Sequence, residues 1–174
     1  MIVVYGARGK VGCLVVSDLK NLGHEVACVD LGLEEVFTPT EHDTAIWCAT
    51  SPPPHNRLAP FSGDLQAFLA VLQQPYGRVV FTSSFGIENG NGVYAINAYA
   101  AGKIASEAFL KAWSEENALR SGVSIRMGGY GPLTDVTMPW AMTEAQVIAC
   151  YRSALSKSNG FHIIRPLHQD WISG

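Results

Sequence analysis

Ile2-Val3-Val4-Tyr5-Gly6-Ala7-Arg8-Gly9-Lys10-Val11-Gly12 opens the chain and decides how the rest is read. Its first four residues are an apolar, β-branched run of the kind that forms a buried strand, and the run ends at Gly6. Beyond it Val11, Leu14, Val15 and Leu19 recur near helical spacing until Gly23, which predicts a helix over 10–22. Strand character returns over 25–29 and stops at Asp30, which completes a β-α-β unit.

Gly6, Gly9 and Gly12 sit at the turn from strand to helix. Glycine permits positive φ and close backbone approach, and a helix N-terminus offers free N–H groups and a favourable dipole. Arg8, Lys10 and Val11 complete this phosphate-binding turn. Asp30 follows Gly12 at the end of the second strand, where a carboxylate can accept both hydroxyls of an adenine ribose. The plainer reading is a tight turn and a loop cap; the placement in a β-α-β unit favours a dinucleotide. A guanidinium at Arg8 would suit a 2'-phosphate and Asp30 would repel it, so NAD is expected, with NADP left open.

Further along, strands are predicted over 44–49, 78–82, 123–127 and 161–164, and helices over 61–74, from 94 or 95 to 116, and over 142–156. Residues 31–43 and 83–92 read as loops, and Pro52-Pro53-Pro54 favours an extended path. Strands alternating with helices imply a three-layer, doubly wound α/β fold with a parallel sheet, in a single domain over 1–174. Ligands in that class bind beyond the C-terminal ends of the strands.

Composition agrees. At 48% hydrophobic and 16% charged residues the chain has the make-up of a folded globule. A net charge of -3 with scattered basic residues argues against nucleic acid and against an anionic membrane surface. Cys13, Cys28, Cys48 and Cys150 lack metal-ligand spacing and are expected to be reduced core residues, with no metal site. No apolar run nears the roughly 20 residues that span a bilayer, and the start lacks the pattern of a signal peptide, so the expected compartment is the cytoplasm.

Thr82-Ser83-Ser84 ends a predicted strand, which puts one hydroxyl in the ligand crevice. Tyr99 and Lys103 stand at i, i+4 on the next predicted helix and share a face. A free tyrosine, with a pKa of about 10, is a poor base at neutral pH; a neighbouring ammonium stabilises the phenolate. A serine that holds the substrate oxygen would leave the tyrosine to exchange the proton.

This order of glycine loop, acid, strand-end serine and Tyr-x-x-x-Lys resembles the short-chain dehydrogenase/reductase superfamily, and more closely its extended, NAD-dependent epimerase/dehydratase branch. The resemblance covers roughly residues 1–132, including Val79-Val80-Phe81-Thr82-Ser83-Ser84 and Ser124-Ile125-Arg126-Met127-Gly128-Gly129-Tyr130-Gly131-Pro132. It implies that Ser84 polarises the substrate oxygen, with Ser83 as the fallback, and that Tyr99 is the acid/base. Lys103 would lower the tyrosine pKa and bind the nicotinamide ribose. Gly6, Gly9 and Gly12 would carry the diphosphate and Asp30 the adenine ribose, with Ala49 and Thr50 completing the cofactor contacts. A homodimer through the second and third helices is also implied.

Two of the chain's departures from that pattern bear on its ligand. Only the short segment 31–43 separates Asp30 from Thr44, where the family inserts a strand and a helix, and this removes part of the usual adenine pocket. Beyond Pro132, the segment 133–174 is too short for a large substrate domain and is expected to be a reduced substrate region, suited to a smaller substrate than a nucleotide-sugar. His55, Trp140, His168 and Trp171 are expected mainly to pack or to lie at the surface, and Arg126 to be a buried or helix-end partner rather than a substrate ligand. Two functions compete: an NAD(P)-dependent oxidoreductase or epimerase-like enzyme acting on a small alcohol or ketone, and a non-catalytic dinucleotide-sensing or protein-binding module.

Overall fold

Among the described residues six strands, β1 (Ile2–Tyr5), β2 (Val26–Val29), β3 (Thr44–Trp47), β4 (Arg78–Ser84), β5 (Ser121–Met127) and β6 (Gly160–Ile164), form one parallel sheet in the order β2-β1-β3-β4-β5-β6. The helices are α1 (Lys10–Asn21), α2 (Leu58–Leu72), α3 (Ala98–Glu115) and α4 (Glu144–Leu155). The computed structural model describes residues 1–30, 38–50, 58–87, 98–130 and 141–166.

Strand alternation sorts the core into two layers. Ile2, Val4, Ile46 and Val80 point to the face covered by α1 and α4, where they meet Val15, Leu19, Val147 and Tyr151. Val3, Ala45, Trp47, Val79 and Phe81 point to the opposite face and pack on Phe68, Leu72, Leu110 and Trp113 of α2 and α3. Phe68 is wedged between Trp47 and Phe81, with ring centroids 5.5 and 4.6 Å away. This is the doubly wound, three-layer arrangement expected from the sequence.

The chain reverses its winding between β1 and β3, and the loops leaving these neighbouring strands diverge there. That switch point opens a crevice at the carboxyl ends of the strands. Among the described residues no strand lies between Asp30 and Thr44, so β2 is the sheet edge.

Some boundaries move for physical reasons. The strand expected over 78–82 runs on to Ser84, because Ser83 and Ser84 pair with Arg126 and Met127 of an equally long β5. The second helix begins at Leu58 rather than 61: Pro60, in its first turn, lacks an N–H that the helix would leave unused. Thr143, not residue 142, starts the last helix, through a capping box in which its side chain and that of Gln146 each accept the other's backbone N–H. At the far end of that helix Arg78 donates to the carbonyls of Leu155 and Lys157, at 2.6 and 2.8 Å. Cys13 is exposed on α1 rather than in the core, and Cys28 and Cys48 are half-buried; only Cys150 is fully buried.

Candidate active site

β1 delivers the chain to Gly6, whose φ is +76°. A Cβ there would also lie 2.6 Å from the backbone nitrogen of Ala49, so Gly6 joins the two diverging loops at the switch point. A Cβ on Gly12 would lie 2.1 Å from the Gly6 carbonyl oxygen, inside van der Waals contact. Both glycines are required by the turn itself. Gly9 differs. It is the N-cap of α1, exposed, in ordinary extended geometry, and its side-chain position meets only the Gly6 carbonyl, at 3.2 Å.

No side chain caps α1 and no acid stands in its first turn, which leaves the N-terminal N–H groups available to an anion. Arg8 and Lys10 are exposed beside them and Val11 lines the adjacent cleft. Asp30, half-buried at the end of β2, accepts the backbone N–H of Arg8 at 2.6 Å. The uncapped helix end, the glycine Gly9 facing outward and the nearby acid fit a dinucleotide's diphosphate and ribose.

A cleft of about 410 Å³ runs from Val11 past Thr50, Ser84, Tyr99 and Lys103 to Tyr130. Ser84 ends β4, and Tyr99 and Lys103 lie one turn apart near the start of α3. Ser84 and Tyr99 both line this cleft, and the Ser84 hydroxyl acts on the phenol to lower its pKa. Ser84 Oγ also accepts the Gly86 backbone N–H at 3.2 Å. Ser83 points the other way along the alternating strand and is buried, so Ser84 is the serine that meets the tyrosine.

Lys103 is 7% exposed. Its Nζ donates to the Thr82 carbonyl at 2.7 Å and stands over the rings of Phe81 and Tyr99, at 4.8 and 5.6 Å from their centroids. Burial pulls its pKa down to about 8, opposed by the negative charge of Asp64 and Glu107. The expectation that Lys103 depresses the Tyr99 pKa is not met in this geometry. Burial pushes the phenol above its ordinary value and the Ser84 hydroxyl only partly offsets it.

Beneath the cleft floor, Tyr151 of α4 hydrogen-bonds the Thr82 hydroxyl and lies 3.5 Å from Cys48 Sγ. Burial raises both the Cys48 thiol and the Tyr151 phenol above their ordinary values. Arg126, half-buried, is paired at 2.7 Å with Glu107, which also accepts from Ser124, so Arg126 is an internal partner. His55, Trp140, His168 and Trp171 lie outside the described residues, and no metal-binding cluster occurs among those described. No helix of the described residues is long and apolar enough to cross a membrane.

Sequence reasoning passed over Tyr151, Cys48 and Asp64 as site neighbours. Thr82 and the Met127-to-Tyr130 segment that lines the cleft stood inside motifs already quoted, so there the signal was present.

No protein-family model matches the sequence, and no curated protein matches it either. Solved structures do match in fold. A UDP-glucose 4-epimerase with UDP-glucose from Thermotoga maritima superposes with a TM-score of 0.72 at 16% identity, over 94% of this chain and 76% of that one. The Thermus thermophilus UDP-glucose 4-epimerase in complex with NAD gives 0.68 at 18% identity, over 94% and 76%. A small-chain dehydrogenase gives 0.69 at 17% identity and covers 94% of both chains. In architecture, this chain shares the doubly wound α/β fold with its parallel sheet that these epimerases and the dehydrogenase have.

Proposed function

We propose that the cleft binds NAD and acts as an oxidoreductase or epimerase-like site on a small alcohol or ketone. The observation that carries this is that Ser84, Tyr99 and Lys103 line one cleft that reaches the first turn of α1 at Val11. Bound NAD would supply a hydride acceptor or donor. The protein's part is to hold the substrate oxygen on the Ser84 hydroxyl and to move its proton through the Tyr99 phenol. Lys103 would bind the nicotinamide ribose and place positive charge beside the phenol. Gly6, Gly9 and Gly12 with Arg8, Lys10 and Val11 would take the diphosphate, Asp30 the adenine ribose, and Ala49 and Thr50 the edge of the cofactor. NADP is the less favoured alternative because of Asp30.

The division into a cofactor and catalytic core, 1–132, and a reduced substrate side, 133–174, is part of the same reading, as is a cytoplasmic location. We place a homodimer on α2 and α3. On the outer side of α3, Ala101, Ile104, Ala108, Phe109 and Ala112 are exposed at helical spacing, and small residues permit close helix approach.

The test is calorimetric titration with NAD, NADH, NADP and NADPH, followed by a screen of small alcohols and ketones. Micromolar NAD binding and a turnover abolished by Tyr99→Phe with cofactor binding intact are expected. Turnover unchanged in Tyr99→Phe would overturn the assignment. A second reading, a dinucleotide sensor without chemistry, is favoured by one observation: Lys103 is committed to the Thr82 carbonyl and the Tyr99 phenol is raised, not lowered. Tight cofactor binding with no activity that depends on Tyr99 would select it.

A further inference from the structure

Next to the main cleft, between α2, α3 and the end of β3, lies a cavity of about 20 Å³ lined by Trp47, Thr50, Asp64, Tyr99, Lys103 and Ser106. That is the size of a single water molecule, and the lining supplies the several polar partners such a water needs. Asp64 on α2 and Lys103 on α3 therefore share one small polar space, brought together by packing of the two helices.

The groups around the Lys103 ammonium come from three elements. Tyr99 and Glu107 lie on α3, Asp64 on α2, and Cys48 follows β3. Glu107 already shares its two oxygens between Arg126 and Ser124. The Cys48 thiol is kept neutral by burial at ordinary pH. Among these groups Asp64 offsets the burial of Lys103 most.

We propose that Asp64 is a positioning residue for Lys103: across the one-water cavity its carboxylate holds the ammonium protonated and in place beside Tyr99. It touches neither substrate nor cofactor in this scheme. Its effect on turnover rests on the reading of Ser84, Tyr99 and Lys103 given above; its effect on Lys103 itself does not.

The experiment is a pH titration of the full chain with ¹³Cε-labelled lysine followed by NMR, the Lys103 signal being assigned by its loss in Lys103→Met. Wild type is expected to titrate near pH 8, and Asp64→Asn about one unit lower, the size of shift that removing a nearby opposite charge produces. Asp64→Ser, as a second folded variant, should move the same way and Asp64→Glu should restore the wild-type value. Where turnover is measurable, Asp64→Asn should match wild type at pH 6, fall about twofold at pH 7 and about fivefold at pH 8, following the protonated fraction. A purely structural role would lower activity evenly across pH. An unchanged Lys103 titration in either folded variant overturns the proposal. The titration needs no cofactor, so a failure of NAD to bind would defeat the reading of the site and still leave the Asp64–Lys103 coupling decided.

Discussion

The carboxylate of Asp30 accepts the backbone N–H of Arg8 at 2.6 Å, so the acid at the end of β2 braces the glycine turn. Asp30→Ala should therefore lose two things at once. Removing an exposed hydrogen bond of this kind costs about 1 kcal/mol, a Tm drop of about 2–4 °C by calorimetry. NAD affinity should fall roughly tenfold, about 1.4 kcal/mol, by titration. Asp30→Asn, which can still accept the Arg8 N–H, should keep the Tm while shifting preference toward NADP.

The three glycines should separate by assay. Gly12→Ala drives a methyl to 2.1 Å from the Gly6 carbonyl oxygen, and a loss of roughly 3 kcal/mol or failure to fold is expected in urea unfolding. Gly9→Ala adds a methyl at 3.2 Å from its nearest neighbour in a conformation any residue adopts, so stability should fall by less than about 1 kcal/mol. If that turn holds the diphosphate, Gly9→Ala should nonetheless weaken dinucleotide binding at least tenfold, about 1.4 kcal/mol.

Lys103 should be costly to the fold. Its pKa is about 8 in the folded chain against 10.5 for the free side chain. Below pH 8 both states are protonated and the folded state carries the whole burial cost, on the order of 3 kcal/mol. Between pH 8 and 10.5 the folded lysine loses its proton first, so stability rises with pH through that window. Lys103→Met should thus be as stable as wild type or several degrees more so at pH 7, despite losing the Thr82 hydrogen bond. That advantage should vanish by pH 10.5 in thermal scans. A stabilised but inactive variant is the pattern expected of a functional charge.

Glu107 behaves in the opposite sense. Burial alone would raise its pKa, but the Arg126 and Ser124 hydrogen bonds bring it below the ordinary value. Its contribution to stability is present above the unfolded carboxylate pKa and is lost as the pH falls through the folded one. Glu107→Gln takes the charged carboxylate away from the half-buried Arg126 and should cost about 2 kcal/mol at pH 7. The deficit against wild type should narrow in acid, as equilibrium unfolding at several pH values would show.

If the outer side of α3 joins two copies, charging it should separate them. Ile104→Glu and Phe109→Glu each place a carboxylate where the side chain is now 46% exposed, so the isolated fold should tolerate them. Sedimentation should give a dimer for wild type and a monomer for the double variant. A monomeric wild type would remove the dimer.

Most of the sheet could be read in advance because it is written locally. Val3 and Val4, or Ile46 and Trp47, announce strands through their own side chains, and Gly23 stops α1 where the chain turns with φ +81°. The Ser84, Tyr99 and Lys103 constellation was legible for a related reason: a strand end and one helical turn fix where three side chains go. Asp64 was not, because only the packing of α2 on α3 brings it to the Lys103 cavity. Nor was the pairing of Thr82 with Tyr151, 69 residues apart and on opposite sides of a crossover. The direction of the Tyr99 shift depends on how far the fold buries the phenol, and spacing along a helix carries no information about that.

The strand order has a kinetic meaning. After β1 and β2 pair, each later strand is laid beside the outermost one already in place, β3 on β1, then β4, β5 and β6. The sheet can therefore grow outward by accretion during synthesis, with no strand inserted between two already paired. Loss runs in reverse, from the β6 and β2 edges inward, and amide exchange should be slower in the interior strands β1, β3, β4 and β5 than at the edges. Gly6, Cys48 and Ser84 stand at the ends of β1, β3 and β4, three of those interior strands. The crevice is thus mounted on the last-yielding part of the molecule, and fraying at either margin leaves its frame intact.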